Sequence, residues 1–372
     1  MSGKGALRVI GTPDTLTDDI TSRARAELEV DLTFEPLDGL DLQRRIVLDP
    51  ESFDVVDHWS TTAELAWAAG AVQPVDTNRI PQWRALTGPE GFGFLDLIGK
   101  GKGAAPGARL FVQENGQLGA VETGRAVMLP TVHNCDSFAY CETLRQARLA
   151  PDEPESWGWL LDPRFRGKVA LSTHAPISAL EAALAARAGG RLQFDDIGNL
   201  SVAEIDALVD LLASLKAQGH FRGFWHYSDE AVKLLRAKGG SVQSIWAQGF
   251  RAAQMRHRSL RYANPIEGFR GWVDGLFLSA ALSPRRLDAA YAYLNWWVSG
   301  WPGAQMVKHG TYMTNPPSLR PHLSSNAWVE SFGAGGARYT ERFGNVAVWN
   351  AFMDEHNYLT RKWAEFLGDA AR

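Results

Sequence analysis

Trp272 and Asp274 stand two residues apart at the end of Asn264-Pro265-Ile266-Glu267-Gly268-Phe269-Arg270-Gly271-Trp272-Val273-Asp274, just before an apolar run over 276–282. In extended chain the two side chains point to one face. An indole beside a carboxylate can seat an organic cation, because the ring quadrupole and the full charge both attract it. The same pair also suits a core aromatic followed by a turn acid. Trp59, Trp246 and Tyr312 are further aromatics in loops after strands, glycine breaks or helix ends. A small solute held between two lobes needs aromatic walls of this kind and a few polar anchors.

His58, His133 and His174 fall at expected strand ends, which raises a three-histidine metal site. They lack the short ligand spacing of such sites and read as separate polar loop residues, with Cys135 and Asp136 beside His133 adding no metal-like pattern. There is no nucleophile elbow, no His-Glu-x-x-His, no Cys-x-x-Cys and no dinucleotide glycine motif after a strand. Gly99-Lys100-Gly101-Lys102-Gly103 lacks the spacer and the Ser/Thr of a phosphate loop, so a surface loop is expected. No cofactor and no metal is expected.

The chain has 372 residues, 45% apolar and 22% charged, enough for two domains with full cores. A net charge of −4 without long Lys/Arg clusters argues against a nucleic-acid partner. No run reaches the length of a membrane span and no apolar signal region opens the chain, so either the protein is cytosolic or an export signal has been removed. Cys135 and Cys141 are six apart, roughly 20 Å in a strand or 9 Å in a helix. Both exceed disulfide reach, and two free thiols are expected. Fourteen tryptophans are more than a core of this size uses, so some should serve binding surfaces.

The elements that must position these residues alternate. Leu7–Gly11 reads as a strand, Thr17 caps a helix to about Glu29, and strands follow at 30–34 and 53–57 around a helix near Leu40–Leu48. Thr61-Thr62-Ala63-Glu64 reads as a capping box after the loop His58-Trp59-Ser60. Asn115-Gly116 turns a hairpin, and a strand ending at Pro130 enters a polar crossing loop from Thr131 to Ser137. In the second half, Ser156 opens a helix and Gly167–Ser172 is a strand. A helix spans Pro176–Arg187, Ser201 caps one to about Gln218, and Ser228 caps another to Gly239-Gly240. Ser241–Ile245 is a strand that ends at Trp246, Ser283-Pro284 starts a helix, and a shorter one runs from Pro302 to His309. The stretch 324–344 is Gly- and Ser-rich, and a final helix covers about 346–367. Such alternation gives an α/β fold with mostly parallel sheets, whose ligands sit beyond the strands' carboxyl ends. Thr12, His58-Trp59-Ser60 and Thr173-His174-Ala175 occupy that position, the last at a helix N-terminus able to hold an anion.

An ordered set of residues resembles the extracellular solute-binding proteins of ABC importers, in particular the spermidine/putrescine-binding-like group of type II periplasmic binding proteins. It comprises Leu161-Asp162-Pro163-Arg164-Phe165-Arg166-Gly167-Lys168-Val169, Trp246, Glu267-Gly268 with Trp272-Val273-Asp274, Ala289-Ala290-Tyr291 with Leu294-Asn295-Trp296-Trp297, and Gly310-Thr311-Tyr312 with Thr314. Order and spacing agree from about residue 7 to 320. The resemblance implies two α/β lobes joined by crossing strands and closing on ligand by a hinge. An N-terminal lobe of 1–136 and 272–318 and a C-terminal lobe of 137–271 and 319–372 are expected. It implies a periplasmic receptor, its export signal removed, that acts as a monomer with ABC permease and ATPase subunits and performs no catalysis.

Carried over position by position, the family's polyamine site keeps Trp246, Trp272, Asp274 and Tyr312. The aromatics expected after the first strand fall near Thr12 and Thr15, and one falls near Ser60 beside Trp59. The acids of the second lobe fall near His174 and Ile177. With one carboxylate missing, a diamine loses an anchor, and a ligand bearing an acid at one end is favoured. Asp274 would then pair a nitrogen while His58, His133 and His174 meet the other end. A receptor for an organic acid or a metal complex, and a cytosolic enzyme on the same fold, are the alternatives.

Overall fold

A computed structural model describes residues 6–87, 98, 105–255 and 257–368. In chain order the elements used below begin with β1 (Leu7–Gly11), α1 (Asp18–Glu27), β2 (Leu32–Pro36), α2 (Gly39–Leu48), β3 (Val55–Trp59) and α3 (Thr62–Ala68). There follow β4 (Leu129–Cys141), α4 (Glu142–Arg148), β5 (Val169–Ser172), α5 (Ala175–Ala188), α6 (Val202–Ala217), β6 (Phe221–Trp225), α7 (Ser228–Leu235), β7 (Val242–Ile245) and α8 (Ala247–Gln254). The last are β8 (Leu260–Tyr262), β9 (Phe269–Ser279), α9 (Pro284–Trp297), β10 (Val346–Trp349) and α10 (His356–Leu367). The loop expected at Gly99–Gly103 lies outside the described residues.

The chain divides into two compact units. It passes from the first to the second inside β4, between Asn134 and Cys135, and returns inside β9, between Gly271 and Trp272. A last passage falls between Glu341 and Arg342, not near 318 as expected. The helix Ser325–Phe332 explains the difference, because its Phe332 packs on Tyr312 and Tyr339 of the first unit.

In the first unit β2, β1 and β3 are parallel neighbours and β9 joins β3 antiparallel. Thr17 caps α1 by accepting from the Ile20 amide, and Asp38 caps α2 through the Leu40 amide. The expected capping box at Thr61 does not form, since that residue is already helical in backbone and makes no side-chain cap bond. Its neighbour Thr62 is engaged by His58 instead. Gly39 admits no larger residue, because a Cβ there would stand 2.4 Å from the Trp59 ring. The hairpin at Asn115-Gly116 is present, closed by Gln113 N–H donating to the Gln117 carbonyl.

In the second unit β5 lies between β6 and β7, all parallel, and β4 adds antiparallel to β7. Val169 and Leu171 on one face pack with α5, α6 and α10, while Ala170, Trp225 and Ile245 face Leu235 of α7 and Phe250 of α8. Ser201 and Glu204 form the reciprocal cap expected for α6. Strand β6 was not anticipated, nor was α8 after Trp246. The final helix is shorter than expected, with β10 occupying 346–349.

The crossing expected as a polar loop from Thr131 to Ser137 is strand. Thr131, His133, Asn134, Asp136 and Ser137 are all buried in β4. Asp136 receives the Arg270 guanidinium at 3.0 Å, and Arg270 also donates to Glu181 at 3.0 Å and to Asn350 at 2.8 Å. Burial alone would lower the guanidinium's pKa, but Glu181 and Asp136 outweigh it and hold the group charged. Removing one member of such a network strands the others. Arg270→Met is expected to cost about 3–5 kcal/mol in urea unfolding; a loss under about 1 kcal/mol would contradict the assignment.

Asp57 on β3 is buried beside Gly11 of β1, and burial pushes its carboxyl up to about 7 against the weaker opposing bond from Thr15. The unfolded chain loses that proton near pH 4. Between about pH 4 and 7 the folded chain therefore binds the extra proton, and this group makes stability fall by about 1.4 kcal/mol per pH unit as pH rises. Asp57→Asn should remove that slope, giving a chain that gains on the parent as pH is raised from about 5 to 8 in thermal melts. Parallel pH dependences in the two chains would argue against it.

Candidate functional site

Three neighbouring parallel strands of the second unit end in aromatic or imidazole residues. His174 follows β5 by two residues, His226 follows β6 directly and Trp246 follows β7 directly. In parallel α/β sheets the carboxyl ends of the strands are where ligands bind, since loops and helix N-termini gather there. The hydrogen-bonded order β6-β5-β7 makes these three ends adjacent.

The rings meet. His174 stacks on His226 with centroids 4.3 Å apart and planes at 15°, and Trp246 sets its edge to His174 at 5.2 Å. Trp225 backs Trp246 in a second edge contact at 5.2 Å. His174 is the N-cap of the 14-residue α5, and its own amide donates to Ser172 Oγ at 3.1 Å while Nδ1 lies 3.2 Å from the same oxygen. His226 Nδ1 lies 2.7 Å from Thr173 Oγ1. The His226 and Tyr227 amides donate to Glu230, holding its carboxyl below the usual range.

This arrangement joins a buried imidazole, a half-buried imidazole, a half-buried indole and the positive end of a long helix. A ligand nitrogen of His174 and one of His226 lie within 4.8 Å of each other, so the pair could also share a transition metal.

In the first unit Asp274 lies directly opposite Trp59 in the antiparallel ladder between β9 and β3. Such partners bring their Cβ atoms within about 5.5 Å. Trp272 stands two residues before Asp274 on β9, half-buried, and Ser60 N–H donates to the Val273 carbonyl at 2.8 Å. The indole and carboxylate noted in sequence thus belong to one strand, with a second indole across from the acid. Thr12 follows β1, buried, its hydroxyl 3.4 Å from that of Thr15.

Three expected ligand residues are committed to the first unit's interior. His58 is buried with Nδ1 at 2.7 Å from Thr62 Oγ1 and Nε2 at 2.9 Å from the Gly39 carbonyl, which leaves neither ring nitrogen open to a solute. Burial pushes its pKa down to about 4, so it stays neutral at ordinary pH. His133 is buried with Nε2 at 2.6 Å from the Tyr339 hydroxyl, and burial pushes it down to about 3. Tyr312 donates its hydroxyl to the Ser331 carbonyl and packs on His133, Phe332 and Tyr339.

His226 was missed in sequence because β6 was. Phe221, Phe224 and Trp225 after the helix stop at Gly219 were the available signal, as an aromatic-rich run after a glycine marks a strand.

Solved structures share this fold along nearly the whole chain. A putative spermidine/putrescine ABC transporter protein from Listeria monocytogenes is similar at 14% identity with a TM-score of 0.71, covering 98% of this chain and 99% of that one. An ABC transporter substrate-binding protein from Bradyrhizobium japonicum is similar at 17% identity and a TM-score of 0.65, covering 97% and 99%. The binding protein MotA from A. tumefaciens, in complex with glucopine, is similar at 13% identity and 0.64, covering 97% and 99%. No curated protein sequence matches the chain. The family model described as bacterial extracellular solute-binding protein matches residues 142–333, over half of the chain, and the chain belongs to that family.

Proposed function

We propose that this solute-binding protein is the receptor of an ABC importer, working in the periplasm as a monomer that delivers its solute to a permease driven by ATPase subunits. It performs no catalysis in this reading. The solute is small, nitrogenous and acidic at one end. Its acidic end meets the α5 N-terminus with His174 and His226, and its body lies on Trp246. Asp274, with Trp59 and Trp272, offers the first unit's seat for a positive nitrogen.

The observation that carries the reading is the ring cluster of His226, His174 and Trp246 at three adjacent strand ends. Helix N-termini favour anions, and an indole face favours an apolar or cationic body. The solved structure holding glucopine is compatible with a solute other than a polyamine on this fold.

Thermal melts with diamines, zwitterionic amino-acid derivatives and monocarboxylates test the reading. A cognate solute at 100 times Kd should add about 2.7 kcal/mol. Zwitterions should shift the melt where diamines do not. Trp246→Ala should weaken calorimetric binding by at least about tenfold, or 1.4 kcal/mol, and Asp274→Asn should weaken zwitterions more than monocarboxylates. Stabilisation by diamines alone, or unchanged affinity in Trp246→Ala, would overturn it. A metal-chelate receptor, suggested by the two close imidazoles, would instead give a shift with Zn²⁺ or Ni²⁺ that a chelator reverses.

A further inference from the structure

The second unit has a cavity of about 560 Å³ at the opposite end of its sheet from the ring cluster. Lys168 precedes β5, Gly240 stands two residues before β7 and Cys141 closes the antiparallel β4, so all three mark the far strand ends. Around the cavity stand Cys141, Arg148, Lys168, Arg236, Lys238 and His257. No carboxylate is among the described residues lining it. The nearby Glu142 is engaged by Arg145 and Gln146 of its own helix α4.

The sulfur of Cys141 is half-buried in this cavity. Burial alone would raise the pKa, but the Thr143 hydroxyl, the Leu144 and Thr143 amides and the Ser259 hydroxyl outweigh it and bring the thiol below its ordinary value. Thr143 Oγ1 lies 3.1 Å from the sulfur. Gly240 adopts φ +70°, and a Cβ there would lie 2.8 Å from Cys141 Cβ and 3.3 Å from the sulfur. A side chain at 240 would therefore crowd the thiol and strain the backbone.

Cys135 is the opposite case. It is fully buried, and burial pushes its thiol far above its ordinary value. The two cysteines lie six residues apart on one strand, roughly 20 Å, which excludes a bridge between them. A member of an extracellular family thus keeps one solvent-reachable thiol where thiols meet disulfides.

We propose that this cavity captures small anionic disulfides and that Cys141 joins them covalently. The Cys141 proton passes to solvent, and the thiolate attacks one sulfur of the incoming disulfide. A Cys141–S–S–R bond forms, the R–S–S–R bond breaks, and RS⁻ departs. The disulfide is the oxidant: one of its sulfurs is reduced to the leaving thiolate while the other remains bound to Cys141. The basic side chains of Arg148, Lys168, Arg236 and Lys238 supply the selectivity by concentrating dianions at the cavity mouth.

The test compares two disulfides on the full chain: dianionic dithiobis(nitrobenzoate) and neutral dithiodipyridine. At low salt the ratio of their rates should exceed that of a free cysteine peptide by about 10-fold. The excess should collapse at about 1 M salt and in the Lys168→Gln/Lys238→Gln double variant, whose thiol is intact. Intact-mass analysis should find one adduct, absent in Cys141→Ser. An adduct on Cys135, no adduct on the folded chain, or a rate ratio that salt and the lysine replacements leave unchanged would overturn the proposal. No transported solute enters the measurement, so its outcome is independent of the ligand proposed above.

Discussion

A guanidinium shut away from water sets the terms for the second unit. Arg270 can remain charged there only if carboxylates meet it at bonding distance, and it draws them from elements far apart in sequence: Asp136 on β4 and Glu181 on α5. The same Asp136 carboxylate accepts the amide of Ala247, the first residue of α8, at 3.1 Å. Trp246 is the cap of that helix, and His174 is the cap of α5. Two of the three rings at the candidate site are therefore set by helices that one buried cation ties to the strands. A buried ion network holds together the segments it touches, because each of its bonds is costly to leave unmade.

Around that anchor the site follows from topology. Parallel strands deliver their carboxyl ends to one edge, and short loops there must turn directly into helices. The residues at the turn are then both helix caps and ring-bearing surfaces. His174 shows the combination: its amide is satisfied by Ser172, its ring by a neighbour from β6, and its position by α5. The first-unit histidines serve the interior instead. His58 and His133 are enclosed, where burial keeps them neutral and their hydrogen bonds hold neighbouring segments.

Much of this was legible in the sequence, and the misses have physical causes. Period and caps were enough for β1 through β3 and for β5 and α5, where apolar alternation and Thr17 or Pro176 marked the boundaries. Local patterns failed at β4, because Asn134 and Asp136 are loop-like by propensity and become strand through partners distant in sequence, such as Arg270 and Gly310. They failed again at β6, whose aromatic run was not assigned, and with it went His226. The 324–344 stretch reads only as Gly- and Ser-rich, yet Trp328, Phe332 and Tyr339 bury there and lie on helices. Of the candidate site, Trp246, His174 and the pairing of an indole with Asp274 were readable. The inward commitment of His58, His133 and Tyr312 was not, since hydrogen-bond partners are decided by tertiary packing.

The core of the second unit also fixes when that unit can exist. Its main apolar cluster joins Trp157, Leu184 and Leu208 to Leu359, Trp363, Phe366 and Leu367 of α10. During synthesis, the segment 135–271 emerges long before the helix that covers its sheet. Until those last turns leave the ribosome, a broad apolar face stays open and the unit cannot close cooperatively.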